Sequence, residues 1–250
     1  MEDYFELALE SAEGTESGIE VKERRISSRL TCLSFRADRD FGERDQRKKG
    51  NYHTLLTAES VIENPRLERE IGDAISELIS SLTSRKKGRV LAVGLGNPAA
   101  VVDALGAEVM SHLKSGARGR GYLATVVPSV YGVTGLETAT VIKGVAREFN
   151  PDWILCVDTL ATRRAERLFR AVQVSDAGLT PGGGVGNRRL PVSAQNLGVP
   201  VISLGVPLLA HADRCASLPS GLVVTPKEID LLVPAFARAL CRGVEGALGE

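Results

Sequence analysis

Two hydrophobic periods alternate along the chain. Residues 90–95, VLAVGL, are apolar without a break, as in a strand buried on both faces. Comparable runs occur at 123–127, 153–157 (WILCV), 172–174 and 199–204. Between them apolar residues recur at helical spacing. One stripe is Leu67, Ile71, Ala74, Ile75, Leu78 and Leu82, and a second is Val102, Leu105, Val109 and Leu113. A third is Leu136, Ile142, Val145 and Phe149. The last is Ile229, Leu232, Val233, Phe236, Leu240 and Val244. Strand and helix alternate at least four times, which predicts an α/β fold, a three-layer αβα stack around a mostly parallel sheet.

The punctuation agrees with this pattern. Asn64-Pro65 predicts a helix start with Pro at its first position. Thr134-Gly135-Leu136-Glu137 and Thr225-Pro226-Lys227-Glu228 each read as a capping box, and Asn150-Pro151 as a helix stop. Residues 21–36 predict one or two edge strands, 52–58 another, and 162–169 a short helix. Residues 38–50 and 116–121 read as loops. Residues 1–20 carry many acids and few large apolar side chains. They predict a mobile arm with a short helix near 5–12, ahead of a single domain over 21–250.

Composition narrows the class. The chain has 250 residues, 43% hydrophobic and 25% charged, as in soluble globular proteins. Lys+Arg and Asp+Glu both number 31, and this neutrality argues against a broad nucleic-acid footprint. Cys32, Cys156, Cys215 and Cys241 are widely spaced, so they read as free thiols of a reducing, cytoplasmic compartment rather than as a disulfide frame or zinc site. The acidic start lacks an apolar core and is no secretory signal, and no run has the length of a membrane span.

In an open α/β sheet, ligands bind beyond the carboxyl ends of the strands. Asp103 follows the strand at 90–95 and Asp158 the strand at 153–157. Two carboxyls brought together cannot both ionise easily, so one holds a proton. Such a pair can activate water and protonate a leaving amine. The bland alternatives are a helix-dipole acid for Asp103 and a turn cap for Asp158. Asp176 is expected at the same edge. The glycines at 182–184 and Gly186 suggest close approach of a ligand or chain, or a flexible turn. Gly94-x-Gly96-x-x-Ala99 fits a relaxed dinucleotide fingerprint, but Pro98 removes an amide and no acid closes the next strand. Gly94-Leu95-Gly96-Asn97-Pro98 also resembles the opening of peptidyl-tRNA hydrolases, without the His-containing segment that should follow. His53, His112 and His211 are isolated, and Ser129 and Ser175 have no neighbouring His to suggest a triad.

A longer series of motifs resembles one family. In order they are GIEVKER (18–24), KKGNYHTL (48–55), VGLGN (93–97), DALG (103–106), GVTGLET (132–138) and NPDWILCVDTLATR (150–163). They continue with QVSDAG (173–178), PGGGVGNRR (181–189), LGVPVISLGVP (197–207) and VTPKEID (224–230). The chain thereby resembles the germination proteases, endopeptidases that degrade small acid-soluble spore proteins in germinating spores. The resemblance implies a phosphorylase/hydrolase-like fold shared with hydrogenase maturation proteases. It implies a catalytic aspartate pair falling on Asp103 and Asp158, with no metal or other cofactor. Gly96, Asn97, Glu137, Asp176 and Asn187 become site-supporting residues, with the Gly96 and Asn97 amides available to an oxyanion. It further implies a tetramer in the spore core, made as a zymogen, with spore proteins as partners and neither nucleic acid nor membrane. The family's Thr-Pro before the first aspartate is Val101-Val102 here, and its Arg-Thr-Asp-Leu-Ala pro-segment motif is Tyr4-Phe5-Glu6-Leu7-Ala8. Two rival readings are a non-catalytic relative and a metal-dependent protease using Asp103, Asp158 and His211.

Overall fold

The computed structural model describes residues 7–13, 19–40, 48–84, 88–118, 121–182, 189–215 and 222–249. A short helix α1 (Ala8–Ala12) precedes strands β1 (Lys22–Arg25), β2 (Leu30–Ala37) and β3 (Gly50–Thr57). Helix α2 (Pro65–Leu82), β4 (Arg89–Gly94), a 3-10 turn at Val101–Asp103 and α3 (Leu105–His112) follow. Then come β5 (Gly116–Arg118), β6 (Gly121–Val126), α4 (Tyr131–Thr134) and α5 (Thr138–Phe149). Next are β7 (Trp153–Thr162), a 3-10 turn at Ala165–Arg167, β8 (Ala171–Ser175) and α6 (Ala194–Leu197). The chain closes with β9 (Val201–His211), α7 (Ala212–Cys215), β10 (Val223–Val224) and α8 (Ile229–Leu248).

The sheet runs β1-β2-β3-β8-β9-β7-β4-β6-β5, with β10 added to β9. Strands β9, β7, β4 and β6 are parallel neighbours, and every other pairing is antiparallel. The α/β layering therefore holds, but the sheet is mixed, with a parallel centre and antiparallel flanks. Helices α2, α3 and α8 cover one face, where Ile71, Ile75, Phe236 and Leu240 pack on Leu155, Val157, Ile202 and Leu204. Part of the other face carries Ile142 and Ala146 of α5 and Leu197 of α6, packed on Leu91, Val93, Ile154 and Cys156.

Local chemistry explains most boundaries. Asn64 Oδ1 accepts the Leu67 amide at 3.1 Å with Pro65 at the first helical position, so the expected cap of α2 forms. Neither expected capping box does. Thr134 closes its own turn, donating to the Val130 carbonyl, and Gly135 in the left-handed region separates α4 from α5. Leu136 is consequently 55% exposed rather than on the buried face. The Thr225 hydroxyl donates to the Leu208 carbonyl of β9 at 2.9 Å, so α8 begins at Ile229 without a side-chain cap.

The described part of the expected mobile arm is seated on the sheet. Leu7 and Leu9 are fully buried in a cluster with Leu160 and Ala171, while Ala8 and Ala12 pack with Phe35 and Tyr52. Burying a leucine side chain contributes about 2 kcal/mol, which outweighs a low local helix tendency. Cys32, Cys156 and Cys241 are free and buried, as expected of reduced thiols.

Candidate active site

The site begins with a close approach between backbones. Strand β4 ends at Gly94, and α3 passes directly over it. A Cβ on Gly94 would lie 2.4 Å from the Gly106 carbonyl oxygen, and a Cβ on Gly106 would lie 2.4 Å from the Leu95 nitrogen. Only glycine at both positions lets the start of α3 settle on the ends of β4 and β7. After β4 the Leu95 amide donates to the Val157 carbonyl of β7 at 2.8 Å. Gly96 then turns with φ at +95°, where a Cβ would collide with the Asp103 carbonyl at 2.1 Å. The Asn97 amide donates to Asp103 Oδ2 at 2.7 Å. One turn is thus bonded to the residue preceding Asp158 and to the Asp103 carboxylate.

Asp103 lies at the end of the 3-10 turn, not inside the α-helix that the spacing from Val102 predicts. The turn is closed by the Asp103 amide on the Ala100 carbonyl at 2.8 Å. Burial pushes the Asp103 carboxyl above its ordinary value, and the Asn97 amide opposes that rise. Asp158 is 6% exposed and lies within β7, which runs on to Thr162 beside β9. It is therefore not the end of its strand, as the apolar run alone suggests. Its Oδ1 accepts the Thr159 amide at 2.9 Å. Burial, and after it the Asp158 charge, push the nearby Cys156 thiol far up, so this cysteine stays protonated.

Asp176 departs from expectation. Because β8 is antiparallel to β9, it leaves the sheet at the edge opposite to that reached by β4 and β7. There Asp176 accepts the Asn51 amide at 2.6 Å and the Asn51 Nδ2 at 2.7 Å, bracing the β3–β8 pair. The expectation of a shared edge assumed a parallel strand. Asn97 also differs, since its amide is committed to Asp103, which removes it as an oxyanion donor. Its Oδ1 accepts the Ala99 amide at 3.0 Å and tightens the turn. Glu137 follows β6 at the same edge as Asp103 and receives Arg189 at 3.3 Å, while that guanidinium stacks 4.4 Å over the Tyr131 ring. Asn187 falls outside the described residues.

The remaining singled-out groups have local roles. Ser34 and His53 Nδ1 share a hydrogen bond of 2.8 Å, and burial lowers the His53 value. His112 lies 3.3 Å from Glu108, and Ser175 accepts the Ala177 amide. Among the described residues no three His, Cys, Asp or Glu side chains gather as metal ligands, so Asp103, Asp158 and His211 do not form the set that a metal-dependent reading requires.

Sequence reasoning missed the residues around Asp158. Asp158, Leu160 and Thr162 alternate onto one face of β7. In the sheet Asp158 stands opposite Gly205 of β9, and Gly205 opposite Gln173 of β8. On that face the Ala8 amide donates to Gln173 Oε1 at 2.8 Å, and Glu10 meets the Thr162 hydroxyl and the Arg163 amide. The continued alternation through Leu160 and Thr162 was the available signal, masked by reading Asp158 as a strand end.

A solved [NiFe] hydrogenase maturation protease, HycI from Thermococcus kodakarensis KOD1, is similar over 69% of this chain and 99% of its own, with 20% identity and a TM-score of 0.45. Curated germination proteases are closer in sequence. That of Caldanaerobacter subterraneus subsp. tengcongensis is 32% identical over 88% of this chain and 84% of its own length. That of Clostridium acetobutylicum is 29% identical over 97% and 92%. The family model for germination protease matches residues 6–218, and the chain belongs to that family.

Proposed function

We propose that this peptidase of spore germination is an endopeptidase that degrades small acid-soluble spore proteins, with Asp103 and Asp158 as its acid–base pair. The observation that carries the reading is the turn at residues 94–97, which donates one amide to Asp103 and another to the residue before Asp158. The raised Asp103 value favours a protonated carboxyl, and the role of base then falls to Asp158. Asp158 then takes a proton from water as the water oxygen adds to the scissile carbonyl carbon. Asp103 gives its proton to the amide nitrogen as the carbon–nitrogen bond breaks. The pair ends with its proton exchanged between members, and solvent restores the starting state. Gly96 shapes the turn. The amino-terminal arm acts as a pro-segment, and the enzyme assembles as a tetramer in the spore core.

The test is cleavage of a purified small acid-soluble spore protein by Asp103→Asn and Asp158→Asn variants. Each is expected to lose at least about 100-fold in rate with its circular dichroism unchanged. A folded Asp158→Asn variant with near-full activity refutes the pair. An inactive parent chain against this substrate favours the non-catalytic relative.

A further inference from the structure

Strand β7 outlasts its neighbour on the β4 side. That pairing ends with Gly94 opposite Val157, while β7 runs on to Thr162 along β9. Among the described residues no strand pairs with residues 158–162 on the side that β4 has left. A strand flank without a neighbour presents main-chain N–H and C=O groups that template a further strand. From Asp158 to Thr162 the flank spans about 13 Å at the rise of a strand.

The hydrogen bonds show which groups face it. Val157 turns its main chain toward β4, since its carbonyl accepts the Leu95 amide at 2.8 Å. Main-chain groups of alternate residues in a strand face the same neighbour, so those of Thr159 face the flank beyond the end of β4. The Thr159 amide agrees with this. Its partner is a side chain, Asp158 Oδ1 at 2.9 Å, where an amide inside a sheet ordinarily meets a carbonyl of the next strand.

Both aspartates border the flank. Asp158 is its first residue, and the turn that leaves β4 holds Asp103 through the Asn97 amide at 2.7 Å. A chain added beside residues 158–162 passes Asp158 along its side and meets the turn that carries Asp103 at one end. This is the placement that a scissile bond requires.

We propose that residues 158–162 form a main-chain recognition edge, to which the substrate adds as an extended strand, with the Thr159 amide donating to a substrate carbonyl. The inference rests on the reading of Asp103 and Asp158 as the catalytic pair. On binding, the Thr159 amide exchanges its side-chain partner for the substrate. Recognition follows the strand period: substrate residues of one parity bond to β7, and those between them turn their main chain away.

The experiment uses the full chain and its Leu9→Ala variant, because Thr159 is 7% exposed with the arm seated. The probe is the tightest-binding member of a set of fluorescent peptides that tile a small acid-soluble spore protein. Where it is cut, the scissile amide is reduced to a methylene-amine, so that binding is read without turnover. Copies carry a single N-methyl group, moved one residue at a time along the peptide. Anisotropy is expected to show roughly tenfold weaker binding at alternate positions, with those between unchanged. In isotope-labelled chain the Thr159 amide resonance is expected to move on binding. Losses without alternation, no binding to either chain, or an unmoved Thr159 resonance overturn the edge. Cleavage of the unmodified peptide by the Asp103→Asn and Asp158→Asn variants separates the two readings. Alternation with both variants near full activity supports the edge and overturns the pair. Lost activity without alternation overturns the edge and leaves the pair standing.

Discussion

At the scale of single residues, Asp103 is held in a state that costs stability. Its carboxyl titrates above the ordinary 3.8 because burial penalises the charge. A folded-state value above the unfolded one means that the folded protein binds more protons between the two, so stability falls as pH rises through that window. Asp103→Asn keeps an oxygen for the Asn97 amide and removes the buried charge. It is expected to raise the melting temperature at neutral pH, with the gain vanishing below about pH 3.8. Melting curves across that range check the sign, and a neutral-pH loss would mean that the charge is stabilised by its surroundings. In the same terms, activity that needs a protonated Asp103 declines on the alkaline side of its raised value. Asp176 makes a contrasting case. Its two bonds to Asn51 are structural, so Asp176→Asn is expected to cost about 1 kcal/mol in denaturant unfolding while cleavage stays near the parent rate. A loss of activity equal to that of Asp158→Asn would bring Asp176 into the reaction.

At the scale of elements, the legible parts were those decided by local spacing. The apolar stripe of α2 and its Asn64 cap, the buried runs of β4 and β7 and the amphipathic α8 all follow from residues close in sequence. Strand direction was not legible. The residues of β8 have the same apolar run whether the strand is parallel or antiparallel, and only its pairing with β3 and β9 decides where Asp176 emerges. The capping boxes misled because Thr134 and Thr225 found carbonyl partners outside their helices. The arm misled because its acids suggest solvation, whereas Glu10 and Glu13 find Thr162 and Arg167 across more than 150 residues of chain. The seating makes its own prediction. Leu7→Ala and Leu9→Ala each remove a fully buried side chain from the cluster that the arm forms with Leu160 and Ala171, with Val21, Leu33 and Leu56 packed beside it. Each is expected to loosen the arm and raise the initial cleavage rate, with little change in the midpoint of global unfolding. Unchanged rates in both variants would mean that the arm does not obstruct the site.

At the scale of the whole molecule, the helical layer of α2, α3 and α8 and the layer of α5 and α6 share the strands of one sheet. Neither layer retains a surface to pack against if that sheet opens. Thermal unfolding is expected to be a single transition, with calorimetric and van't Hoff enthalpies equal; two resolved transitions would show that the antiparallel flank melts separately. The length of β7 has a further consequence. The strand is paired with β9 from Ile154 to Thr162 and with β4 as far as Val157. Asp158 and the threonine that grips the arm therefore lie on one strand, whose register with β9 shifts between them, at Leu160 and Ala161. Asp158 lies ahead of that shift, in register with Gly205, so loosening the arm is expected to leave its place in the sheet unchanged. Any control that the arm exerts is then a matter of occupancy instead of motion.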